Sequence, residues 1–225
     1  PARVYHNIAV AIDPDRQLFN GQPATLGVWL DSLDLAPGMR LLHVGAGLGY
    51  YTAVMAECVG PRGRVVAYEI DEVLARSAAR NLRTYDAVEV RHGDASGPFD
   101  EPFDAVLVNA GVTHALDSWL DALTPGGRML IPVTAAMPAM GATIGKGVVV
   151  LVTEEREASF SARVVTFVAV YSALGLRDSA MDDAIGKALT AGPGAWQSVK
   201  RLRRDRHDRE ATCWLHRDGC CLSRT

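Results

Sequence analysis

No stretch of this sequence stays apolar for the ~18 residues that a membrane-crossing helix requires, and no run of it has the form of a secretory leader. The expectation is a cytoplasmic protein with no membrane partner. Cysteine is scarce: Cys58, Cys213, Cys220 and Cys221 form no spaced framework, which sets aside the disulfide-stapled secreted class. Positive charge is not in excess either. The formal net charge is -3, whereas phosphate binding ordinarily leaves a basic footprint, so nucleic acid is not the expected partner. Internal repeats and low-complexity linkers are absent. Pro1 stands where an initiator methionine would, which leaves room for residues upstream.

What the chain does have is an ordinary globular balance, 48% apolar and 22% charged over 225 residues. That length buries a full core without disulfides or structural metal. From Arg40 to Val133 short apolar runs alternate with helical patterns. Strands are expected over Arg40-Val44, Arg64-Ile70, Val88-His92, Phe103-Asn109 and Arg128-Val133, the last after the turn Pro125-Gly126-Gly127. Helices are expected over Tyr50-Val59, stopped by Gly60 and Pro61, over Glu72-Leu82, with acids first and arginines later as the helix dipole favours, and over Asp117-Leu123.

Beyond Val133 the pattern changes. Thr134-Lys146 reads as a loop rich in Met, Ala and Gly. Gly147-Thr153 and Ala162-Tyr171 read as an antiparallel hairpin across the turn Glu154-Ser161. Helices follow over Asp178-Leu189 and Gly194-Arg206, then a small hairpin of Thr212-His216 and Cys220-Ser223 around Asp218-Gly219. The N-terminal Tyr5-Leu35 reads as partly helical with a break near Phe19-Pro23. The fold class expected is α/β: a doubly wound, mostly parallel Rossmann-like sheet with a C-terminal antiparallel hairpin. The expected division is a helical covering segment 1–36, a ligand-binding domain 37–175 and an extension 176–225.

In such sheets ligands bind outside the carboxyl ends of the strands. Gly45-Ala46-Gly47-Leu48-Gly49, Glu69, Asp94 and Asn109 all fall at such ends. A glycine turn between strand and helix lets backbone approach a ligand and points N–H groups at it. The dinucleotide fingerprint would need a sixth-position glycine at Tyr50, so a nicotinamide cofactor is disfavoured. Glu69 can accept hydrogen bonds from a ribose diol and Asp94 from an adenine amino group.

With those residues in view, the sequence resembles the protein-L-isoaspartate O-methyltransferases, as a divergent member. The resemblance rests on Leu41-Leu42-His43-Val44-Gly45-Ala46-Gly47-Leu48-Gly49-Tyr50-Tyr51-Thr52-Ala53, on Tyr68-Glu69-Ile70-Asp71, Gly93-Asp94 and Phe103-Asp104-Ala105-Val106, and on Leu123-Thr124-Pro125-Gly126-Gly127-Arg128. Gln22-Pro23 and the run Phe160-Val170 match as well, and the similarity covers roughly 17 to 171. It implies S-adenosyl-L-methionine (SAM) as cofactor, held by Gln22, His43, Gly45, Ala46, Gly47, Leu48, Gly49, Tyr51, Glu69, Ile70, Gly93, Asp94, Ala95 and Asn109. Gln22 is expected to help close the cofactor pocket, with His6, Asn7 and Asn20 as further candidates.

Three positions depart from the family. Gly21 stands where the family has a serine that helps form the isoaspartyl site. His43 replaces an acid of the first motif. Asn109-His114 replaces a turn rich in alanine and proline. These lie on the acceptor side, so the expected activity is SAM-dependent methyl transfer to a carboxylate of a protein or peptide, with the isoaspartyl acceptor itself left open. A carboxylate, with a pKa near ~4, is already ionised at neutral pH and needs no general base. Asn109 could orient the acceptor, and His114 is the one candidate base at a strand end. A small-metabolite acceptor and a non-catalytic SAM-binding module are the other readings.

Two further features are read as structural. Lys200-Arg209 has six basic and two acidic residues and reads as a solvated helix face. Cys213, His216, Cys220 and Cys221 do not match Cys-x2-Cys spacing, and on a strand over Thr212-His216 the first two side chains point to opposite faces, so no metal is expected. A monomer is the default expectation.

Overall fold

The near-continuous apolar runs form strands covered on both faces, as parallel strands require. In the computed structural model, which describes residues 7–16, 18–136, 143–156 and 159–225, β1 (Ala11–Asp13), β2 (Leu18–Phe19), α1 (Pro23–Ser32), β3 (Arg40–Val44), α2 (Tyr50–Val59), β4 (Arg64–Glu69), α3 (Glu72–Asn81), β5 (Val88–His92) and β6 (Phe103–Val108) follow in order. The chain divides into two compact units, 1–95 with 105–109, and 96–104 with 110–225.

The first unit is built on parallel strands in the order β5-β4-β3-β6. Leu41, Leu42, Val65 and Val66 are fully buried. Because β3 has β4 on one side and β6 on the other, the connection reverses direction at β3. The carboxyl ends of β3 and β6 therefore flank a topological switch point, the place where open α/β sheets hold ligands. N-terminal to α1, where partial helix is expected, β1 and β2 instead form an antiparallel hairpin. Asn20 closes it: its side-chain oxygen accepts from the Val10 N–H at 2.8 Å, and its own N–H donates to the Val10 carbonyl at 3.0 Å.

The second unit contains α4 (Asp117–Asp121), β7 (Leu123–Ala136), β8 (Ile144–Arg156), β9 (Ser159–Tyr171), α5 (Met181–Thr190), α6 (Pro193–Gln197), β10 (Arg201–Arg203), β11 (Cys213–Leu215) and β12 (Cys221–Ser223). Its strands run antiparallel in the order β7-β8-β9-β10-β12-β11. The expected β8–β9 hairpin is present and longer than its apolar stretches. The expected loop from Thr134 gives way to strand as far as Ala136, and β8 begins at Ile144; residues 137–142 lie outside the described residues. The turn Pro125-Gly126-Gly127 falls within β7, whose ladder with β8 starts at Arg128.

Two expectations for the C-terminal segment are corrected. The helix read over Gly194-Arg206 stops at Gln197, and Arg201–Arg203 is a strand. Lys200-Arg209 is therefore no helix face. Arg203 pairs with Asp205 at 2.7 Å and Glu210 at 2.9 Å, and Arg204 with Asp121 at 2.6 Å and Asp117 at 3.0 Å. The strand parity that set Cys213 and His216 on opposite faces also fails. Cys213 pairs with Ser223 and Leu215 with Leu222, so β11 carries a bulge, and the strand ends before His216. Nδ1 of His216 lies 3.8 Å from Sγ of Cys213.

A half-buried guanidinium braces this unit. Arg177 donates from Nη1 to the Gly111 carbonyl and to Oγ1 of Thr134, and from Nη2 to the Thr134 carbonyl, each at 2.9 Å. It also reaches Asp182 of α5 at 2.5 Å. The planar fork satisfies acceptors that a lysine could not reach together. Arg177→Lys is expected to lower unfolding free energy by about 2–4 kcal/mol, measured by urea denaturation.

Candidate functional site

At the end of β3 the backbone turns sharply. Gly45, Gly47 and Gly49 have φ of 83°, 57° and 90°, values that favour glycine. The N–H groups of Gly45 and Ala46 both donate to the Tyr68 carbonyl, at 2.9 and 3.0 Å. The Gly47 N–H donates instead to a side chain, Oε2 of Glu69, at 2.7 Å. The other carboxylate oxygen of Glu69 accepts from the Asp71 N–H at 3.0 Å. Glu69 is only 7% exposed, yet each of its oxygens keeps a second lone pair for a ligand hydroxyl.

The three glycines do different work. A Cβ at Gly47 would lie 3.4 Å from Ile12 Cδ1, so a hairpin residue covers the loop there. A Cβ at Gly49 would meet Leu82 Cδ1 at 2.7 Å; this glycine caps α2 in the left-handed region and admits Leu82, which follows α3. It is a packing position more than a ligand contact.

The N-terminal hairpin contributes residues that the sequence pattern did not reveal. Arg16 pairs with Asp13 at 2.6 Å and also with Asp71, the residue that caps α3 by accepting from the Leu74 N–H at 2.9 Å. The Leu74 N–H and the Arg16 guanidinium hold the Asp71 carboxyl below the usual carboxylate range. Ile12 over Gly47 and Arg16 on Asp71 thus bind the hairpin to both sides of Glu69. Neither belongs to a glycine or acidic motif, so only the fold reveals them.

The remaining expected residues spread around this centre. Ile70 is exposed, with its carbonyl 3.0 Å from Nε2 of His92. Gly93, Asp94 and Ala95 follow β5. The Gly93 N–H donates to the Glu69 carbonyl at 3.0 Å, Asp94 is exposed, and Ala95 is buried with φ 54°, a strained choice for alanine that concentrates at functional turns. Asn109 follows β6, its N–H bonded to the Val44 carbonyl at 2.8 Å, which puts it beside the end of β3. Gln22 caps α1 from an exposed position and accepts from Thr25 Oγ1 at 3.3 Å. Asn7 accepts from the Ala24 N–H at 2.9 Å, and His6 lies outside the described residues.

Three residues sit differently from expectation. His43 is fully buried, its Nδ1 2.8 Å from Thr52 Oγ1 and its Nε2 without a partner; β3 points it at α2. Tyr51 is buried too, its hydroxyl within 3.9 Å of where a Gly21 Cβ would stand, and burial pushes its phenol above the ordinary range. His114 belongs to the second unit. Its Nδ1 is 2.9 Å from Thr113 Oγ1, and it lines a small cavity with Met181, Leu202, Cys220 and Leu222. Burial first, then Arg217, lowers its pKa. Bridges of Gly111 to Ser172 and Val112 to Val133 pin the preceding segment there, so His114 packs with the C-terminal extension.

The family model described as Protein-L-isoaspartate(D-aspartate) O-methyltransferase matches residues 1–162. The chain belongs to that family. A protein-L-isoaspartate O-methyltransferase of Methanopyrus kandleri is 43% identical over 116 residues, 49% of this chain and 51% of that protein. One from Methanothermobacter thermautotrophicus is 37% identical over 115 residues, 49% of this chain and 53% of that protein. The chain spans about half the length of the curated relatives it matches. Among solved structures, a protein-L-isoaspartate O-methyltransferase superposes with a TM-score of 0.67 at 22% identity, covering 91% of this chain and 61% of that one. A Plasmodium falciparum structure described as a family methyltransferase in complex with S-adenosyl-L-homocysteine gives 0.60 at 19% identity, over 74% of this chain and 80% of that one. These two likenesses establish a shared fold.

The family's departure at Gly21 has a structural side. Gly21 has φ 78°, and a Cβ there would meet Leu26 Cδ2 at 2.9 Å. A side chain at this position would have to displace Leu26 and accept a strained backbone.

Two outcomes are expected. Gly49→Ala should destabilise by about 1–3 kcal/mol and by more than Gly38→Ala, whose φ of 88° is similar but whose Cβ would meet nothing; thermal unfolding of the pair isolates the Leu82 contact. Burial lowers His43 to about 4, so between pH 6.5 and 4 the unfolded chain binds this proton and the folded chain does not. His43 stabilisation is then complete above pH 6.5 and falls by about 3 kcal/mol toward pH 4. Urea titrations at pH 7 and 4.5 should show that slope in the wild type and its loss in His43→Gln.

Proposed function

We propose that the chain binds SAM at the Gly45–Gly49 loop and transfers its methyl group to a carboxylate of a protein or peptide. The observation that carries this reading is Glu69: a buried carboxylate tied to the loop through the Gly47 N–H, each oxygen retaining acceptor capacity. That chemistry suits a ribose diol. The left-handed turn at Gly47, which carries no side chain, suits close approach by a ligand, and the exposed Ile70 offers an apolar face beside the diol for a flat base. Asp94, at the next strand end, suits an exocyclic amine. The residues present therefore fit an adenosine-bearing cofactor, and family membership supports the same choice.

Bound SAM supplies an electrophilic methyl on a sulfonium, transferred by in-line displacement. The chain's task is positioning. Glu69 and the loop backbone fix the nucleoside, the Ile12–Arg16 hairpin excludes water from one side, and Asn109 at the switch point offers an amide to orient the acceptor. Alignment of reacting groups accounts for much of the acceleration in such transfers. A carboxylate nucleophile is ionised at neutral pH, so no base is required, in keeping with a His114 that packs with the C-terminal extension.

Two experiments test the reading. Glu69→Ala should weaken S-adenosyl-L-homocysteine binding by ~1.5–3 kcal/mol through lost charge-assisted bonds; unchanged affinity would remove Glu69 from the site. Incubation with methyl-labelled SAM and an isoaspartyl peptide should yield a base-labile ester if the family acceptor is used. Labelling of aspartyl or C-terminal carboxylates instead would point to an acceptor altered through Gly21.

A further inference from the structure

The C-terminal segment gathers four metal-ligating side chains that methyl transfer does not use. His207, Cys213, His216 and Cys221 bring one ligand atom each to within 4.8 Å of all the others. They come from three places: His207 from the loop after β10, Cys213 from β11 with His216 just past its end, and Cys221 from β12. Both cysteines are buried and unpaired as disulfides.

Two of the separations match the edges of a tetrahedral centre. With metal–sulfur bonds of ~2.3 Å and metal–nitrogen bonds of ~2.0–2.1 Å, a tetrahedron sets sulfur and nitrogen ~3.5–3.6 Å apart. Sγ of Cys213 lies 3.5 Å from Nε2 of His207 and 3.8 Å from Nδ1 of His216. The surroundings suit metal ligation too. His207 turns its other nitrogen, Nδ1, to the Asp205 carbonyl at 3.0 Å and carboxylate at 3.2 Å, and His216 turns Nε2 toward Asp218 at 3.7 Å. A histidine whose distal N–H is held by an acceptor presents its other nitrogen as a lone pair, the usual support of a metal ligand. The Glu210 N–H donates to Sγ of Cys213 at 3.3 Å, a contact that stabilises a thiolate.

We propose that His207, Cys213, His216 and Cys221 bind one zinc ion. Two thiolates and two imidazoles in a tetrahedron suit zinc among the common divalent ions. Four protein ligands leave no open position, so the site is structural: it staples the loop between β10 and β11 to the β11–β12 hairpin. The bulge at Cys213–Leu215 is what aims His216 inward.

The test is the metal content of the full chain. After purification without added metal, or reconstitution with zinc chloride, and gel filtration, plasma mass spectrometry should find about one zinc per chain. Cys221→Ser and His207→Ala should each cut that figure about tenfold or more, while His92→Ala, outside the cluster, should leave it unchanged. If a cluster variant fails to fold, the wild-type chain still decides: cobalt(II) loading should give the intense visible bands of tetrahedral coordination and a thiolate charge-transfer band. Absence of zinc after reconstitution of folded protein, zinc retained equally by all variants, or a pale octahedral cobalt spectrum would each overturn the proposal.

Discussion

The hydrogen bond from the Gly47 N–H to Glu69 is the contact on which the first unit depends. It joins the end of β3 to the end of β4 through a side chain, at the point where backbone pairing between these strands gives out. Through its other oxygen Glu69 also fixes Asp71, which caps α3 and receives Arg16. One buried carboxylate thereby sets the loop, the start of a helix and the seat of the N-terminal hairpin. A carboxylate held this way is preorganised: little has to move when a ligand hydroxyl arrives.

The parallel part of the fold was legible in the sequence because its signals are local. β3, β4 and β6 are mostly apolar runs bounded by Gly, Asp or Asn, β5 is a short Val-rich alternation before Gly93, and Tyr50–Val59 carries its own stop at Gly60. The glycine loop, Glu69 and Asp94 could be located because each follows such a run. The β1–β2 hairpin escaped because strands of two and three residues have no period to detect. The helix read into Gly194-Arg206 failed because arginine has good helix propensity, while the pairing of Arg201–Arg203 with β9 and β12 is set from a distance. Three members of the Cys/His cluster, Cys213, His216 and Cys221, were visible in the sequence but set aside, and His207 was missed, for a related reason. Its side chains come from three segments, and a bulge that no pattern announces breaks the strand parity between Cys213 and His216.

The departures from the family gain a physical meaning. At Gly21 the backbone conformation and Leu26 both disfavour a side chain, so the serine that the resemblance leads one to expect would not fit without local rearrangement. At His43, where the resemblance leads one to expect an acid, stands a neutral, buried imidazole bonded to Thr52. Burying a carboxylate in its place would require neutralisation or a partner, and the histidine avoids that need.

Isothermal titration calorimetry on the wild-type chain with S-adenosyl-L-homocysteine and, separately, NAD tests the central claim most directly. If the Gly45–Gly49 loop and Glu69 hold the adenosine of a methyl donor, S-adenosyl-L-homocysteine should bind at one site per chain and NAD should give no saturable heat. Saturable NAD binding with no response to S-adenosyl-L-homocysteine would contradict it.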